Sequence, residues 1–271
     1  MIYHGVRSEP KPERVMISSS DGADFETVGS RSVPYEHVVF PTDRDAFIRL
    51  MLNDLDDSVM DRMKGFATSL GQLGLAVSMG RLVDFRARDH LRPSPENGTA
   101  PLIYPCHFQE GFVNWPAAPG KKPNAISFRA ETRELMVPAG YYVLTKRFTS
   151  KEERRRVVAA IFDPRRIDAP FAGIENHLNY FHSRGKGLSP NLAKGLALYL
   201  NSTLFDKYFR LFSGHSQVNA TDLRRMRYPT HEQLLRCGSH VGHRMPDQVT
   251  VDAVLERECL NNAQKGGCKA N

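Results

Sequence analysis

The sequence predicts a mixed α/β protein of the α+β kind, and three observations carry that prediction. Two runs of aromatic and β-branched residues, "GYYVLTKRF" (140–148) and "RRVVAAIF" (155–162), read as strands. An apolar stripe of Leu192, Leu196, Tyr199, Leu200, Leu204, Tyr208 and Phe212, opened by Pro190 at a first helical position, reads as one long helix. The opening stretch "MIYHGVRSEPKPERVMISSS" alternates branched or aromatic with polar residues on either side of "EPKPE", as a hairpin with a proline-containing turn does.

Taken in order, the hairpin at 2–20 is marginal alone and needs a sheet to join. Nothing else in the first 57 residues supplies one on sight, so the chain is expected to begin inside a larger fold. From Asp57 the pattern turns helical: Ser58 is placed to cap, and Val59, Met63, Phe66, Leu70 and Leu73 recur at three- and four-residue steps until Gly71 and Gly74. "LAVSMGRLVDFR" reads as a strand, a glycine bend and a second short strand. Residues 92–124, rich in Pro, Gly and Asn, read as loop around a short strand at 102–104. "TSKEER" joins the two runs named above, with a helix as the alternative over "KEERRRVVAAI". Beyond the long helix, shorter ones are expected near Asp222, at 231–236 and at 247–258. The tail "NNAQKGGCKAN" is expected to be disordered. No internal repeat is present.

The net charge of +7 is unevenly spread. Residues 1–57 hold 6 Lys/Arg against 11 Asp/Glu, whereas residues 121–227 hold 20 against 9, a net +11. That asymmetry points to a polyanionic partner, or in the plainer reading to a solvated basic surface. The sequence has no uninterrupted apolar run of membrane-spanning length and opens without the apolar core of a signal peptide, so a cytoplasmic location is the expectation. Cys106, Cys237, Cys259 and Cys268 share no C-x-x-C spacing, which argues against a zinc site or a disulfide framework. His177 and His182, five apart, do not match a zincin; "GKG" at 185–187 is first a turn; Ser213 and His215 lack a G-x-S-x-G elbow. No set of residues is self-sufficient for catalysis, so an independent hydrolase or nuclease ranks last.

Five blocks carry a resemblance: "GLAVSMGRLVDFRARDHL" (74–91), "GYYVLTKRFTSKEERRRVVAAIFDP" (140–164), "GIENHLNYFH" (173–182), "GLALYLNSTLFDKYFR" (195–210) and "FSGHSQVNATDLRRMRYP" (212–229). In this order they resemble the C-terminal target-recognition half of bacterial adenine-N6 DNA methyltransferases of type II restriction-modification systems, over about residues 1–260. The resemblance implies a DNA target-recognition domain carrying a remnant hairpin of a Rossmann-like methyltransferase sheet. It implies 1–56 as the last strands of the methyltransferase domain and a linker, 57–230 as the recognition domain, 231–260 as C-terminal helices and 261–271 as tail. The family's Asn-Pro-Pro-Tyr/Phe motif and Gly-rich S-adenosylmethionine motif are both missing. The resemblance then implies that methyl transfer and S-adenosylmethionine belong to a catalytic half, and the chain is expected to be a truncated fragment or the specificity half of a split gene. Its expected partners are double-stranded DNA, the methyltransferase catalytic domain or chain, and a cognate restriction endonuclease, with no membrane. The competing expectation is an interaction subunit that docks on a separate methyltransferase or endonuclease chain with little DNA affinity alone.

Within that reading, Ser213, His215, Gln217, Asn219 and Thr221 supply small donors and acceptors just ahead of Arg224 and Arg225. Gln or Asn pairs bidentately with adenine and Arg with guanine, each worth roughly 1–3 kcal/mol of discrimination, while Ser, Thr, Lys and Arg on phosphate fix register. Asn219 and Thr221 stand equally as helix caps. Lys146 and Arg147 close a strand next to a second cluster, Arg154, Arg155 and Arg156; at least one of Lys146 and Arg147 is expected at phosphate, and alternation turns one or two of the three arginines, with Arg156 the candidate, toward the partner while the rest stay solvated. Asn176 and His177 are candidate base readers, with buried hydrogen-bonding roles as the alternative. Arg81, Arg86 and Arg88 are candidate backbone clamps.

Overall fold

Strand-forming residues in the middle of the chain gather segments far apart in sequence into a central six-stranded sheet. The computed structural model describes residues 10–20, 28–39, 48, 54–118, 120, 122–149, 154–212 and 217–261. The sheet runs, in spatial order, Ala76–Met79, Leu178–His182, Tyr142–Lys146, Ala159–Phe162, Phe112–Val113 and Phe108–Gln109. Its pairs are antiparallel except for Ile161 beside Phe112. A second sheet of five strands, Leu91–Arg92, Ala125–Ser127, Thr99–Ile103, Phe171–Ile174 and Met136–Pro138, also holds one parallel pair, Gly173 beside Leu102.

The two-residue strand period decides what each face buries. Val143, Phe181, Ala159 and Ile161 face helices and join Leu196, Tyr199 and Phe205 in the largest core. Tyr142, Leu144, Leu178 and Tyr180 point the other way, onto Ile103, Val137, Ala172 and Ile174 of the second sheet. Leu102, Ala100, Ile126 and Met136 on that sheet's far side close over Leu82 and Tyr104. The layers are thus helix, sheet, sheet, so that the central sheet is covered on both faces.

Several sequence expectations change. Arg14–Ser20 is a strand, but its partner is Val28–Pro34, in a register from Arg14 opposite Pro34 to Ser20 opposite Val28. The expectation that nothing in the first 57 residues could pair with it is overturned; the first arm at 2–9 lies outside the described residues. The acidic helix is Asp54–Lys64, which puts Ser58 inside it rather than at its cap. Phe66, Leu70 and Leu73 lie beyond its end, in the turns that follow, yet all three are buried. Past Gly80 the chain makes a 3-10 turn, Asp84–Arg86, instead of a second strand, with Leu82 bridging Glu175 only. Residues 92–124 are better ordered than loop: Thr99–Ile103, Phe108–Gln109 and Phe112–Val113 all pair there. From 154 to 162 the strand reading holds over Ala159–Phe162.

The long helix is two helices, Pro190–Leu200 and Thr203–Phe212. The break has a tertiary cause. Asn201 turns its carboxamide onto the first residue of the inner strand Ala159–Phe162, accepting from Ala159 N–H at 3.1 Å and donating to the Ala159 carbonyl at 2.9 Å. Ser202 then donates to the Tyr199 carbonyl and accepts from Phe205 N–H, starting the next helix. The shorter helices are Ala220–Arg225, His231–Ser239 and Gln248–Leu255, the last continuing as a π-turn to Leu260. Of the expected disordered tail at 261–271, all but Asn261 lies outside the described residues.

Candidate nucleic-acid interface

The strand Tyr142–Lys146 leaves the central sheet between two other segments, and this juxtaposition assembles the candidate surface. Lys146 lies opposite Leu178. Arg147 N–H donates to the His177 carbonyl at 2.9 Å, and the Arg147 carbonyl accepts from Val218 N–H at 2.7 Å. Phe148 bridges Gln217. Asn179, fully buried, ties the same three segments from below by donating to the Val218 carbonyl at 2.8 Å and to Thr145 Oγ1 at 3.4 Å. Three of the sequence blocks singled out above, at 140–148, 173–182 and 217–225, therefore meet along one ridge.

Two side chains on the ridge, Arg147 and His177, are held in place. Arg147 Nη1 donates to the Asn176 carbonyl at 2.5 Å. Burial pushes its guanidinium down from the ordinary arginine value while Glu175 pulls it back up. The Glu175 carboxylate is fully buried and spends both oxygens on His177, accepting the backbone N–H at 2.9 Å and the ring Nδ1 at 2.5 Å. That bond fixes the proton on Nδ1 and leaves Nε2 of a ring whose side chain is 46% exposed free for an outside partner. The carboxamides of Asn176 and Gln217 have no hydrogen-bond partner among the described residues. Asn176 N–H donates to the Leu82 carbonyl, which joins the 81–88 segment to the ridge.

A further carboxylate borders this surface. Asp84 receives Lys122 Nζ at 2.7 Å, and the lysine holds the carboxyl below the usual range against the opposing effect of burial. Lys122 is itself raised by the same contact. The positive charge of Lys122 is thus masked where it stands.

The remaining sequence candidates divide. Asn219 sits at the N-cap of Ala220–Arg225, with its N–H 3.4 Å from Asp222 Oδ2, so the capping alternative describes its position. Thr221 is exposed on that helix. Arg224 is exposed but lays Nε and Nη2 on the Val77 carbonyl at 3.3 and 3.0 Å; Arg225 is exposed and also engaged. Arg81 donates to the Glu134 carbonyl at 3.1 Å, Arg86 lies over the Phe85 ring, and Arg88 is exposed. Arg156 is a correction: it is 2% exposed, its guanidinium donates to Thr149, and its N–H reaches Asp206 Oδ1 at 2.6 Å. It braces the fold and has no place in a contact surface. Ser213 and His215 lie outside the described residues. Phe148, Glu175, Asp84 and Lys122 were not singled out from sequence; the one available signal was the placement of Phe148 directly after Lys146-Arg147.

Serine and histidine do meet elsewhere, at Ser78 and His182, 2.9 Å apart. His182 Nδ1 accepts Gly185 N–H at 3.0 Å, so in the neutral ring Nε2 carries the proton toward the serine, the wrong polarity for a base that must remove one. Burial, helped by Arg81, pushes the His182 pKa below its ordinary 6.5. A histidine depressed on folding takes up protons more readily when unfolded. Stability is therefore expected to fall as pH drops below about 6.5, and His182→Gln to flatten that limb of a urea-denaturation series. Among the described residues no three His, Cys, Asp or Glu side chains gather as a metal site, and no helix is long and apolar enough to cross a membrane.

Two curated proteins match most of this chain. It is 42% identical over 257 residues, 95% of its length, to the type II methyltransferase M.PstI of Providencia stuartii. It is 41% identical over 252 residues, 92% of its length, to the type II methyltransferase M.BsuBI of Bacillus subtilis. The chain spans about half the length of each relative, 51% and 50%. No protein-family model matches it.

Proposed function

We propose, from the likeness to half of each of two type II methyltransferases, that this chain is the target-recognition part of a site-specific adenine-N6 DNA methyltransferase of a restriction-modification system. It binds duplex DNA along the ridge of Lys146, Arg147, Asn176, His177 and Gln217, flanked by Thr221, Arg224 and Arg225. Lys and Arg on the ridge neutralise phosphate; Asn176, His177 and Gln217 offer hydrogen-bonding groups to base edges. The observation that supports this most is the convergence of three separate family-like blocks on one surface of the most basic part of the chain, net +11 over 121–227.

The residues present do not fit S-adenosylmethionine. The chain has no Asn-Pro-Pro-Tyr/Phe, and its one Gly-Lys-Gly turn is packed shut: a Cβ on Gly187 would stand 2.7 Å from the Gly140 Cα. Cofactor binding and methyl transfer are assigned to the other half of the enzyme.

The test is binding of duplex DNA by the purified chain across a salt series, where the log–log slope is expected at about −0.9 per neutralised phosphate. Affinity indifferent to salt overturns the reading. Gln217→Ala is expected to relax discrimination at one base pair, by roughly 1–3 kcal/mol, once the cognate site is known. A uniform loss over all sequences instead removes Gln217 from base reading.

A second reading is a subunit that docks on a separate methyltransferase or endonuclease chain and has little DNA affinity of its own. Its support is the Arg14–Ser20/Val28–Pro34 ribbon, which stands as a two-stranded sheet whose outer edges have no strand beside them among the described residues. Co-purification with a catalytic chain, combined with no duplex binding by this chain alone, would favour it over the first.

A further inference from the structure

Phe148 is an exposed aromatic at the centre of a polar, basic surface. A single exposed apolar side chain ordinarily needs no explanation. This one differs in how it is held. The residue is 47% exposed, yet the Arg147 guanidinium lies 5.4 Å from the centre of its ring and the His177 ring 5.0 Å from it. Each of those neighbours is fixed in turn, Arg147 on the Asn176 carbonyl and His177 on the buried Glu175. The backbone beneath is pinned by the bridge to Gln217, and the next residue, Thr149, is buried and bonded to the Arg156 carbonyl. The ring thus projects from a braced mount and loses little further freedom on contact.

An apolar ring surrounded by cations and open amide groups is poorly matched to a protein partner's apolar core. It is well matched to nucleic acid, where the charges meet phosphate and the ring meets the π-face of a base. We propose that Phe148 is a wedge that inserts at a base step of bound DNA and unstacks it, with Lys146 and Arg147 on the adjoining phosphates. The inference rests on the DNA-binding reading above and adds that the protein opens the duplex where it binds.

The experiment compares the full chain on a labelled duplex of arbitrary sequence with the same duplex carrying a central one-nucleotide bulge, in which the unstacking cost is already met. The wild type is expected to favour the bulged duplex by about tenfold, since part of the unstacking that the intact duplex still requires is already present at the bulge. Phe148→Ala is expected to bring the two affinities together, while Phe148→Leu keeps part of the preference as an apolar wedge and Phe148→Trp keeps all of it. Because the ring is half open, each variant is expected to melt with the wild type, and the Leu and Trp arms carry the test should the alanine variant misfold. A bulge preference equal in wild type, Leu and Ala, or none in wild type despite salt-dependent duplex binding, overturns the wedge and leaves the DNA-binding reading standing. Failure of the wild type to bind either duplex overturns both.

Discussion

Gly195→Ala is expected to destabilise the protein by about 3 kcal/mol or more, and Gly238→Ala by as much. The helices Pro190–Leu200 and His231–Ser239 cross with backbones in contact. A Cβ on Gly195 would sit 1.8 Å from the Leu234 carbonyl oxygen, and one on Gly238 would sit 1.9 Å from that of Asn191. Alanine ordinarily favours a helix interior over glycine by roughly 1 kcal/mol, so a purely local account predicts the opposite sign. The obstruction here is main chain rather than the end of a flexible side chain, and two packed helices yield only by separating. Pro190–Leu200 also covers the central sheet through Leu196 and Tyr199, so separation loosens the largest core. For a chain of this size the loss corresponds to a fall in melting temperature of roughly 6–12 °C. Gly71→Ala, which meets nothing within 4 Å, serves as the neutral comparison in the same calorimetric series.

The double variant Lys146→Ala/Arg147→Ala is expected to bind duplex about 60-fold more weakly at 0.1 M salt, irrespective of sequence. The figure follows from counterion release. Each lost phosphate contact removes about 0.9 from the log–log slope, hence about 0.9 in log affinity for every tenfold dilution of salt below 1 M. Two contacts give a slope shallower by about 1.8, and the two binding curves converge toward 1 M. A loss of affinity with an unchanged slope would mean that the side chains act through the ridge's shape. Arg147 offers that route, since its Nη1 holds the Asn176 carbonyl, and Lys146→Ala alone separates the two effects. Both melting temperatures should accompany the binding data, because Arg147 is partly enclosed.

Burial patterns were legible in the sequence; interruptions imposed by tertiary contacts were not. The apolar residues of 190–212 occupy one helical stripe, and nothing local in "YLNST" announces a break. The break exists because Asn201 finds the Ala159 main chain, which is 42 positions away and invisible to any local rule. The same holds for Arg156. Three adjacent arginines read as a surface cluster with one or two members turned to a partner and the rest solvated, and only the folded positions of Thr149 and Asp206 show that the third is enclosed. The strand Val28–Pro34 went unseen because "VGSRSVP" is half small or polar and lacks the aromatic and branched content of the central strands. On the candidate surface, the family resemblance together with residue chemistry picked out Lys146, Arg147, Asn176, His177 and Gln217. It missed the buried Glu175 that orients His177, since an acidic residue inside a basic block looks like neutralising charge until its burial is known.

The sheet pairings also set a timetable for biosynthesis. Asn179 sits beside Met79, 100 positions later in the chain, and Gly173 beside Leu102, so neither sheet closes until the segment 171–182 has emerged from the ribosome. At roughly 5–20 residues per second, strands such as Ala76–Met79 wait on the order of 5–20 s with apolar side chains uncovered. A nascent chain in that condition is a client for holdase chaperones, and its yield in a cell should track their supply more closely than its finished stability.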